Sequence, residues 1–196
     1  NSSIHIQSLI TSMVDLDEAA FNKTLSSAIL QHGLEKTMME VIFPFMSLIG
    51  VMWQTGALLP PFEHFMSGLL RQKLMVAIDG QELKVRSDAR NFLLFLPEGE
   101  HHELGLLFAN YMIRAAGHKT LYLGQNLPMA ELECVHEKFV PDFIFTSITS
   151  GYPEESAQEL LDALQSKFPG SEYLLTGRFF LENGREYPSS FRLIRN

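Results

Sequence analysis

Residues 97–105 read Pro-Glu-Gly-Glu-His-His-Glu-Leu-Gly, and in this polar segment Glu100 precedes His102 by two positions. A neutral imidazole is a good metal ligand, and a nearby carboxylate can accept its other N–H and raise its basicity. Gly105 then gives the backbone room beside a bulky ligand. The segment predicts a histidine prepared for coordination. The alternative is a solvated acidic loop whose histidines bind nothing.

Three further groups could contribute polar or aromatic contacts to a ligand. Ser147 and Thr149 follow an apolar run, and their hydroxyls can hydrogen-bond a polar ligand without adding charge. Nine residues separate Trp53 from Glu63-His64, so an indole ring, which offers a flat apolar surface, is close in sequence to two polar side chains. A lone Trp on an apolar helix more often belongs to the core, and a Glu-His pair is more often solvated.

Apolar residues recur at helical spacing through the first 80 residues, which predicts a four-helix bundle over 1–80. We expect helices at about 4–14, 17–32, 34–55 and 60–79, with a kink at Pro44 inside the third. The polar stretch 81–90 is a linker.

From residue 91 onward, short strand-like runs alternate with periodic helices. We expect strands at 91–96, 119–123, 142–147, 172–176 and 191–195, with a helix around Met129–Phe139. Such alternation predicts an α/β domain over 91–196 with a flavodoxin- or Rossmann-like parallel sheet of five strands. Ligands of open parallel sheets bind at the carboxyl ends of the strands where strand order reverses. Glu100, His102, Ser147 and Thr149 would then meet at one edge.

Composition excludes several classes of protein. The chain has 196 residues, 46% of them hydrophobic and 19% charged, which is not the composition of a largely disordered chain. Its net charge of −8 argues against nucleic-acid binding by these residues alone. We expect no membrane span, because no charge-free apolar run looks long enough. The single Cys134 lies in a predicted helix, where we expect it to pack, and suggests a reducing compartment.

Glu100-x-His102-x-x-Gly105 resembles the cobalamin-binding signature, Asp/Glu-x-His-x-x-Gly, of methionine synthase and its relatives. The run Pro44–Gly56 resembles the helical cap that covers the upper face of cobalamin in these proteins. Trp53-x9-Glu63-His64 is similar to the adenosylcobalamin-binding domain of MerR-type, light-dependent regulators of the CarH/LitR group. The resemblance extends over most of residues 15–178.

The resemblance implies a helical cap and a sheet domain that face each other across a cleft and hold adenosylcobalamin. It assigns cobalt's lower ligand to His102, supported by Glu100 and Gly105, and the upper face to Trp53, Glu63 and His64. It assigns the slot for the nucleotide tail to Ser147, Thr149 and Gly177. Two positions depart from the family: Thr176 replaces the first glycine of a Gly-Gly pair, and Gln54 replaces a histidine that follows the Trp in light-sensing members.

The function implied by the resemblance is a cobalamin-dependent sensor, without enzymatic activity, in a cytoplasmic MerR-type transcription regulator. DNA contacts would come from a domain before Asn1, the domain would respond to light or to B12, and homo-oligomers are expected. One alternative is a methyl-carrying corrinoid protein of a methyltransferase system, and another is the same scaffold used without cofactor for protein contacts. A zinc site built from His101, His102, His136 and neighbouring Glu residues is a weaker alternative, since no paired His/Cys spacing supports it.

Overall fold

The computed structural model describes residues 2–82, 84–149 and 151–195, and the chain divides into two compact units, one up to Lys73 and one from Leu74 onward. Four helices open the chain, as predicted: α1 (Ser2–Val14), α2 (Glu18–His32), α3 (Leu34–Gln54) and α4 (Pro60–Asp79). The chain folds as mixed α/β with a helical first part and a parallel sheet after it, which confirms the predicted fold class.

Local signals in the sequence explain where α2 begins and ends. Asp17 caps its first turn, because the side-chain Oδ1 accepts the backbone N–H of Ala20 at 2.9 Å. Gly33 ends it with a φ of 79°, a conformation that glycine adopts without a Cβ penalty. Phe21 and Leu25 on the inner face of α2 are fully buried, as are Phe45 and Ile42 of α3. The apolar stripe therefore forms a bundle core.

A π-helical turn over Met38–Ile42 interrupts α3 directly before Pro44. Its signature is the N–H of Phe43, which donates to the carbonyl of Met38 five residues earlier. Proline has no N–H and its ring crowds the carbonyl four residues back, so a regular α-helix is disfavoured at that place. The wider turn accommodates Pro44 within one continuous helix.

By length and composition alone, helix α3 is long and apolar enough to cross a membrane. The expectation of no membrane span required a charge-free run, which is a stricter criterion because Glu35, Lys36 and Glu40 lie within this helix. A core helix of a soluble protein passes the same test, so one such helix is weak evidence for a membrane protein. Met38 and Phe45 of α3 are indeed buried among the helices.

Five parallel strands form one sheet in the order β2-β1-β3-β4-β5. They are β1 (Asn91–Pro97), β2 (Lys119–Leu127), β3 (Phe143–Ser147), β4 (Glu172–Thr176) and β5 (Phe191–Leu193). The helices between them are α5 (Leu104–Ala115), α6 (Glu133–His136), α7 (Glu154–Lys167) and α8 (Arg178–Glu182). Strand order reverses between β1 and β3, as predicted, so their carboxyl ends mark the expected ligand edge.

The structure differs from the sequence expectation at β2, at the helix after it and at α8, a short helix that was not predicted. β2 continues to Leu127, and its pairing with β1 is shifted in register near Gly124. The helix expected over Met129–Phe139 is instead a 3₁₀ turn at Met129–Leu132 followed by the short α6. Cys134 in α6 is exposed, and its thiol donates to the carbonyl of Glu131 at 3.1 Å, so the prediction that it packs is wrong.

Buried side chains cover both faces of the sheet. Leu93 and Phe95 of β1 point to one face with Ile144 of β3, and pack with the inner side of α7. Leu94 and Leu96 point to the other face and pack with Leu106 of α5. Parallel strands that are covered on both faces carry near-continuous apolar sequence, which is why these strands can be identified from the sequence.

Candidate functional site

The loop after β1 holds Glu100 and His102 in direct contact. One carboxylate oxygen of Glu100, Oε1, lies 2.6 Å from Nδ1 of the His102 ring and accepts the backbone N–H of His102 at 2.9 Å. Glu100 is 4% exposed, whereas the His102 side chain is 68% exposed. Because Nδ1 faces the carboxylate, the opposite ring nitrogen, Nε2, is directed away from Glu100. A buried anion thus orients an accessible imidazole.

Thr149, in the loop after β3, completes this arrangement. Its backbone N–H and its hydroxyl both donate to Oε2 of Glu100, at 2.7 and 2.8 Å. Its Oγ1 also lies 3.0 Å from Nδ1 of His102. Both oxygens of the Glu100 carboxylate therefore have partners. The structure brings together three of the predicted site residues, Glu100, His102 and Thr149.

These contacts keep Glu100 ionised inside the protein. Burial by itself raises the pKa of a carboxyl group, but the hydrogen bonds from His102 and Thr149 outweigh it and hold the pKa of Glu100 at about 2. At neutral pH a full negative charge therefore sits beside Nδ1 of His102. That charge favours a proton on Nδ1, which leaves the lone pair on Nε2.

The loop that carries Glu100 is also held by Asn126 and Tyr152, neither of which was predicted as a site residue from the sequence. Asn126, near the end of β2, accepts the N–H of Gly99 on Oδ1 at 2.8 Å, and its own N–H donates to the carbonyl of Glu100 at 3.1 Å. The hydroxyl of Tyr152 donates to the carbonyl of Glu98 at 3.2 Å. Three consecutive residues are thus held from outside the loop. The sequence signal for Asn126 was the Gly-Gln-Asn run, because Gly and Asn are the residues that most readily adopt left-handed backbone.

Ser147 and Gly177 lie together at the carboxyl ends of β3 and β4. A Cβ on Gly177 would come 2.8 Å from Oγ of Ser147 and would clash with the carbonyl of Ile148, and the φ of Gly177 is 91°. Only glycine fits this position. The neighbouring Thr176 donates its hydroxyl to the carbonyl of Ile194 at 2.9 Å, so the residue that departs from the family bonds to the segment after β5. At Gly105, in the first turn of α5, a Cβ would meet nothing within 4 Å.

A cavity of about 630 Å³ lies beside the Glu100–His102 pair, and the predicted residues Gly105, Ser147 and Gly177 are not among the described residues that line it. Glu100, His102 and Thr149 line one side, and Met129, Leu160 and Ala163 line an apolar side. Its size is that of ordinary small-molecule sites, and it combines an apolar wall with a few polar groups. It therefore fits an organic ligand with a flat, apolar part.

In the helical unit, Trp53 lies in the last turn of α3 and is 57% exposed, so it is not a core residue. Glu63 and His64 are in the first turn of α4, where Oε2 of Glu63 lies 3.2 Å from Nδ1 of His64. Among the residues that the structure describes, no hydrogen bond or ion pair joins Trp53 to this pair. The exposed indole and the Glu63–His64 pair are accessible groups at the ends of two consecutive helices.

Over residues 2–82, 84–149 and 151–195, no three His, Cys, Asp or Glu side chains group closely enough to hold a bare metal ion. A corrin ring differs from a bare ion because it supplies the equatorial nitrogens of its own cobalt. One well-oriented imidazole then suffices, and the Glu100–His102 pair has the chemistry that such a group requires.

Comparison with known proteins gives one family and two curated relatives. Residues 5–78 match the model of the B12 binding domain family. The HTH-type transcriptional repressor CarH of Myxococcus xanthus is 26% identical over 163 residues, which cover 83% of this chain and 54% of CarH. The repressor CarA of the same organism is 34% identical over 108 residues, which cover 55% of this chain and 37% of CarA. The chain thus spans about half the length of CarH and less of CarA.

Among solved structures, the monomethylamine corrinoid protein of Methanosarcina barkeri has a similar fold. It is 14% identical, with a TM-score of 0.72, over 95% of this chain and 92% of that one. At this identity the likeness concerns the fold alone. Residues 5–78 thus match the B12 binding domain family, and the chain is a cobalamin-binding domain related to the CarH and CarA repressors.

Proposed function

We propose that His102 supplies the lower axial ligand of cobalt in bound cobalamin, through Nε2. One observation carries this assignment: the buried, ionised Glu100 lies 2.6 Å from Nδ1 of an accessible imidazole. A carboxylate in that position makes the imidazole more basic and fixes its orientation, as is usual for histidine ligands of metals. Thr149 supports Glu100 from the neighbouring loop.

The nucleotide tail of cobalamin would then occupy the cavity beside His102. Gly105 leaves open space at the start of α5, Ser147 is the last residue of β3, and Gly177 directly follows β4. The apolar wall of Met129, Leu160 and Ala163 suits the flat base of the tail.

We further propose that the adenosyl form is the preferred ligand, through Trp53, Glu63 and His64. An exposed indole offers a flat apolar surface for a nucleoside, and Glu63 and His64 offer partners for ribose hydroxyls and adenine edges. Trp53→Ala should reduce the preference for adenosylcobalamin over methylcobalamin more than it reduces affinity for corrinoids in general. Competition binding with the two cofactors measures this, and equal loss for both would contradict the assignment.

The homology to two transcriptional repressors supports a role as the non-enzymatic sensor domain of a cytoplasmic, MerR-type regulator. Because the chain covers only about half of CarH, DNA contacts would come from residues outside this chain. Bound adenosylcobalamin would contribute a light-sensitive cobalt–carbon bond, which would make the regulator a photoreceptor as well as a B12 sensor. We expect homo-oligomers to be the regulated state.

An absorption spectrum after incubation with adenosylcobalamin and gel filtration in the dark tests the proposal. We expect co-elution and a spectrum of histidine-ligated cobalamin. His102→Ala should weaken binding and leave any bound cofactor with the spectrum of the free, benzimidazole-ligated form. An unchanged spectrum in His102→Ala would refute the ligand assignment, and His101→Ala is the matched control because that residue is the adjacent imidazole in the same loop.

The same titration distinguishes the sensor from a methyl-carrying corrinoid protein. A sensor should bind adenosylcobalamin more tightly, whereas a carrier must accept the methyl form and leave its upper face open to partner enzymes. A preference for methylcobalamin in the unmutated chain would contradict the sensor proposal. Absence of any binding would favour the scaffold as a cofactor-free interaction module.

A further inference from the structure

Asn126 has a backbone conformation that most residues avoid. Its φ is 56°, and Leu16 is the other non-glycine residue with a positive φ in the described part of the chain. Gly124, two residues earlier, has a φ of 78°, and the pairing of β1 with β2 shifts register beside it. The end of β2 is therefore bent out of regular strand geometry, and asparagine is one of the residues that tolerates such a bend.

The bend places the side-chain oxygen and the backbone N–H of Asn126 against the loop that carries Glu100. Its side-chain Oδ1 accepts the N–H of Gly99 at 2.8 Å, and its backbone N–H donates to the carbonyl of Glu100 at 3.1 Å. Gly99 itself has a φ of 86°. The dipeptide Gly99–Glu100 is thus held at its N–H end and at its carbonyl end by one residue of a neighbouring strand.

The held peptide leads directly into the contact that orients the imidazole. Oε1 of Glu100 accepts the backbone N–H of His102 and faces its Nδ1. The side chain of Glu100 can meet both groups only if its backbone is held in place. Asn126 bonds to Gly99 and Glu100, so we expect its effect on His102 to pass through these two residues.

We propose that Asn126 is a positioning residue: by accepting the Gly99 N–H, its side chain holds the loop so that Glu100 keeps its contact with Nδ1 of His102 and thereby sets the orientation of the imidazole. This inference rests on the proposed function in so far as Nε2 is the cobalt ligand. Two substitutions distinguish the effect of the Asn126 side chain from the effect of its backbone conformation. Asn126→Gly keeps the left-handed conformation and loses the acceptor, and Asn126→Asp keeps an acceptor oxygen.

Nitrogen-15 NMR on the ligand-free protein tests the positioning role without cofactor. We expect the His102 ring in the unmutated protein to carry its proton on Nδ1, Asn126→Asp to retain that tautomer, and Asn126→Gly to populate both tautomers. Exchange of the Gly99 amide with solvent should accelerate in Asn126→Gly and stay slow in Asn126→Asp. If the His102 ring has the same tautomer in Asn126→Gly as in Asn126→Asp, the proposal is overturned.

Cobalamin titrations provide the second test. Loss of one hydrogen bond should weaken binding about fivefold in Asn126→Gly and at most about twofold in Asn126→Asp. In a His102→Ala background, Asn126→Gly should cause no further loss, because its effect passes through His102. If Asn126→Gly weakens cobalamin binding in the His102→Ala background as much as it does in the otherwise unmutated protein, the proposal is overturned. If the unmutated protein binds no cobalamin, the proposed function fails, and the NMR measurement still decides whether Asn126 positions His102.

Discussion

At the residue scale, the carboxylate of Glu100 gives the site its pH dependence. Its pKa lies at about 2, below the usual 4.5, because His102 and Thr149 hydrogen-bond to the ionised form and outweigh the effect of burial. A carboxyl group with a lowered folded-state pKa stabilises the fold above its unfolded pKa and loses that contribution as pH falls through the folded pKa. Acid should therefore destabilise this loop between pH 4.5 and about 2.

Glu100→Gln should remove this dependence, since an amide does not titrate. Near neutral pH the variant should be less stable, and the difference in free energy of unfolding should shrink by up to about 3 kcal/mol between pH 4.5 and about 2. Urea unfolding followed by circular dichroism at a series of pH values measures this difference. Glu98→Gln, an exposed glutamate of the same loop, is the matched control. A constant difference over that range would mean that Glu100 is not held ionised.

The identity of residue 54, a glutamine, affects which protein group can bind cobalt after illumination. An amide oxygen is a much poorer ligand for cobalt(III) than an imidazole, so position 54 should not provide a protein ligand after illumination. We expect the illuminated complex to lack the absorption spectrum of bis-imidazole cobalamin, unless His64 supplies the second imidazole. A bis-imidazole spectrum that persists in His64→Ala would contradict this prediction, and one that disappears would identify His64 as the ligand.

At the element scale, the turn after β4 lies close to the end of β3, and this close approach depends on the absence of a side chain at Gly177. The N–H of Ile148 donates to the carbonyl of Thr176, and the N–H of Phe179 donates to the carbonyl of Ile148. These bonds bring the turn after β4 against the loop that carries Thr149. The position of Thr149 beside Glu100 therefore depends on how the turn after β4, which contains Gly177, packs against the loop after β3.

Gly177→Ala should cost about 3 kcal/mol of unfolding free energy, because the new Cβ clashes with the Ile148 carbonyl in addition to the strain of a positive φ. Gly184→Ala is the matched control: its φ is 67° and a Cβ there meets nothing within 4 Å. That control should cost only about 1 kcal/mol. Cobalamin affinity should fall in Gly177→Ala and persist in Gly184→Ala. Equal destabilisation of the two variants, measured by urea unfolding, would refute the packing argument.

At the scale of the whole molecule, we expect self-association to report the state of the cofactor. The chain carries a net charge of −8, and exposed apolar side chains of the first unit include Leu48 and Val51 of α3. Sedimentation velocity in the dark should show a larger species with adenosylcobalamin than without it, and illumination should reverse the change. The same sedimentation coefficient under all three conditions would contradict cofactor-controlled assembly.

The sequence by itself determined the order and type of most elements, except for the 3₁₀ turn at Met129–Leu132 and the short helix α8. Helical periodicity predicted the four N-terminal helices to within a few residues, and apolar runs identified all five strands. The segment from Glu100 to Gly105 also identified the candidate ligand without a structure, because Glu100 and His102 are close in the chain. Local patterns suffice for these features since each depends on neighbouring residues.

Tertiary structure alone decided which distant residues complete the site. Thr149 bonds to Glu100 across 49 positions, and Asn126 bonds to Gly99 across 27. These contacts depend on the strand order and on a register shift at the end of β2, which no local pattern encodes. The exposure of Cys134 likewise results from packing rather than periodicity. Parallel strands meet only after long crossovers, so sequence separation hides the partners that share an edge.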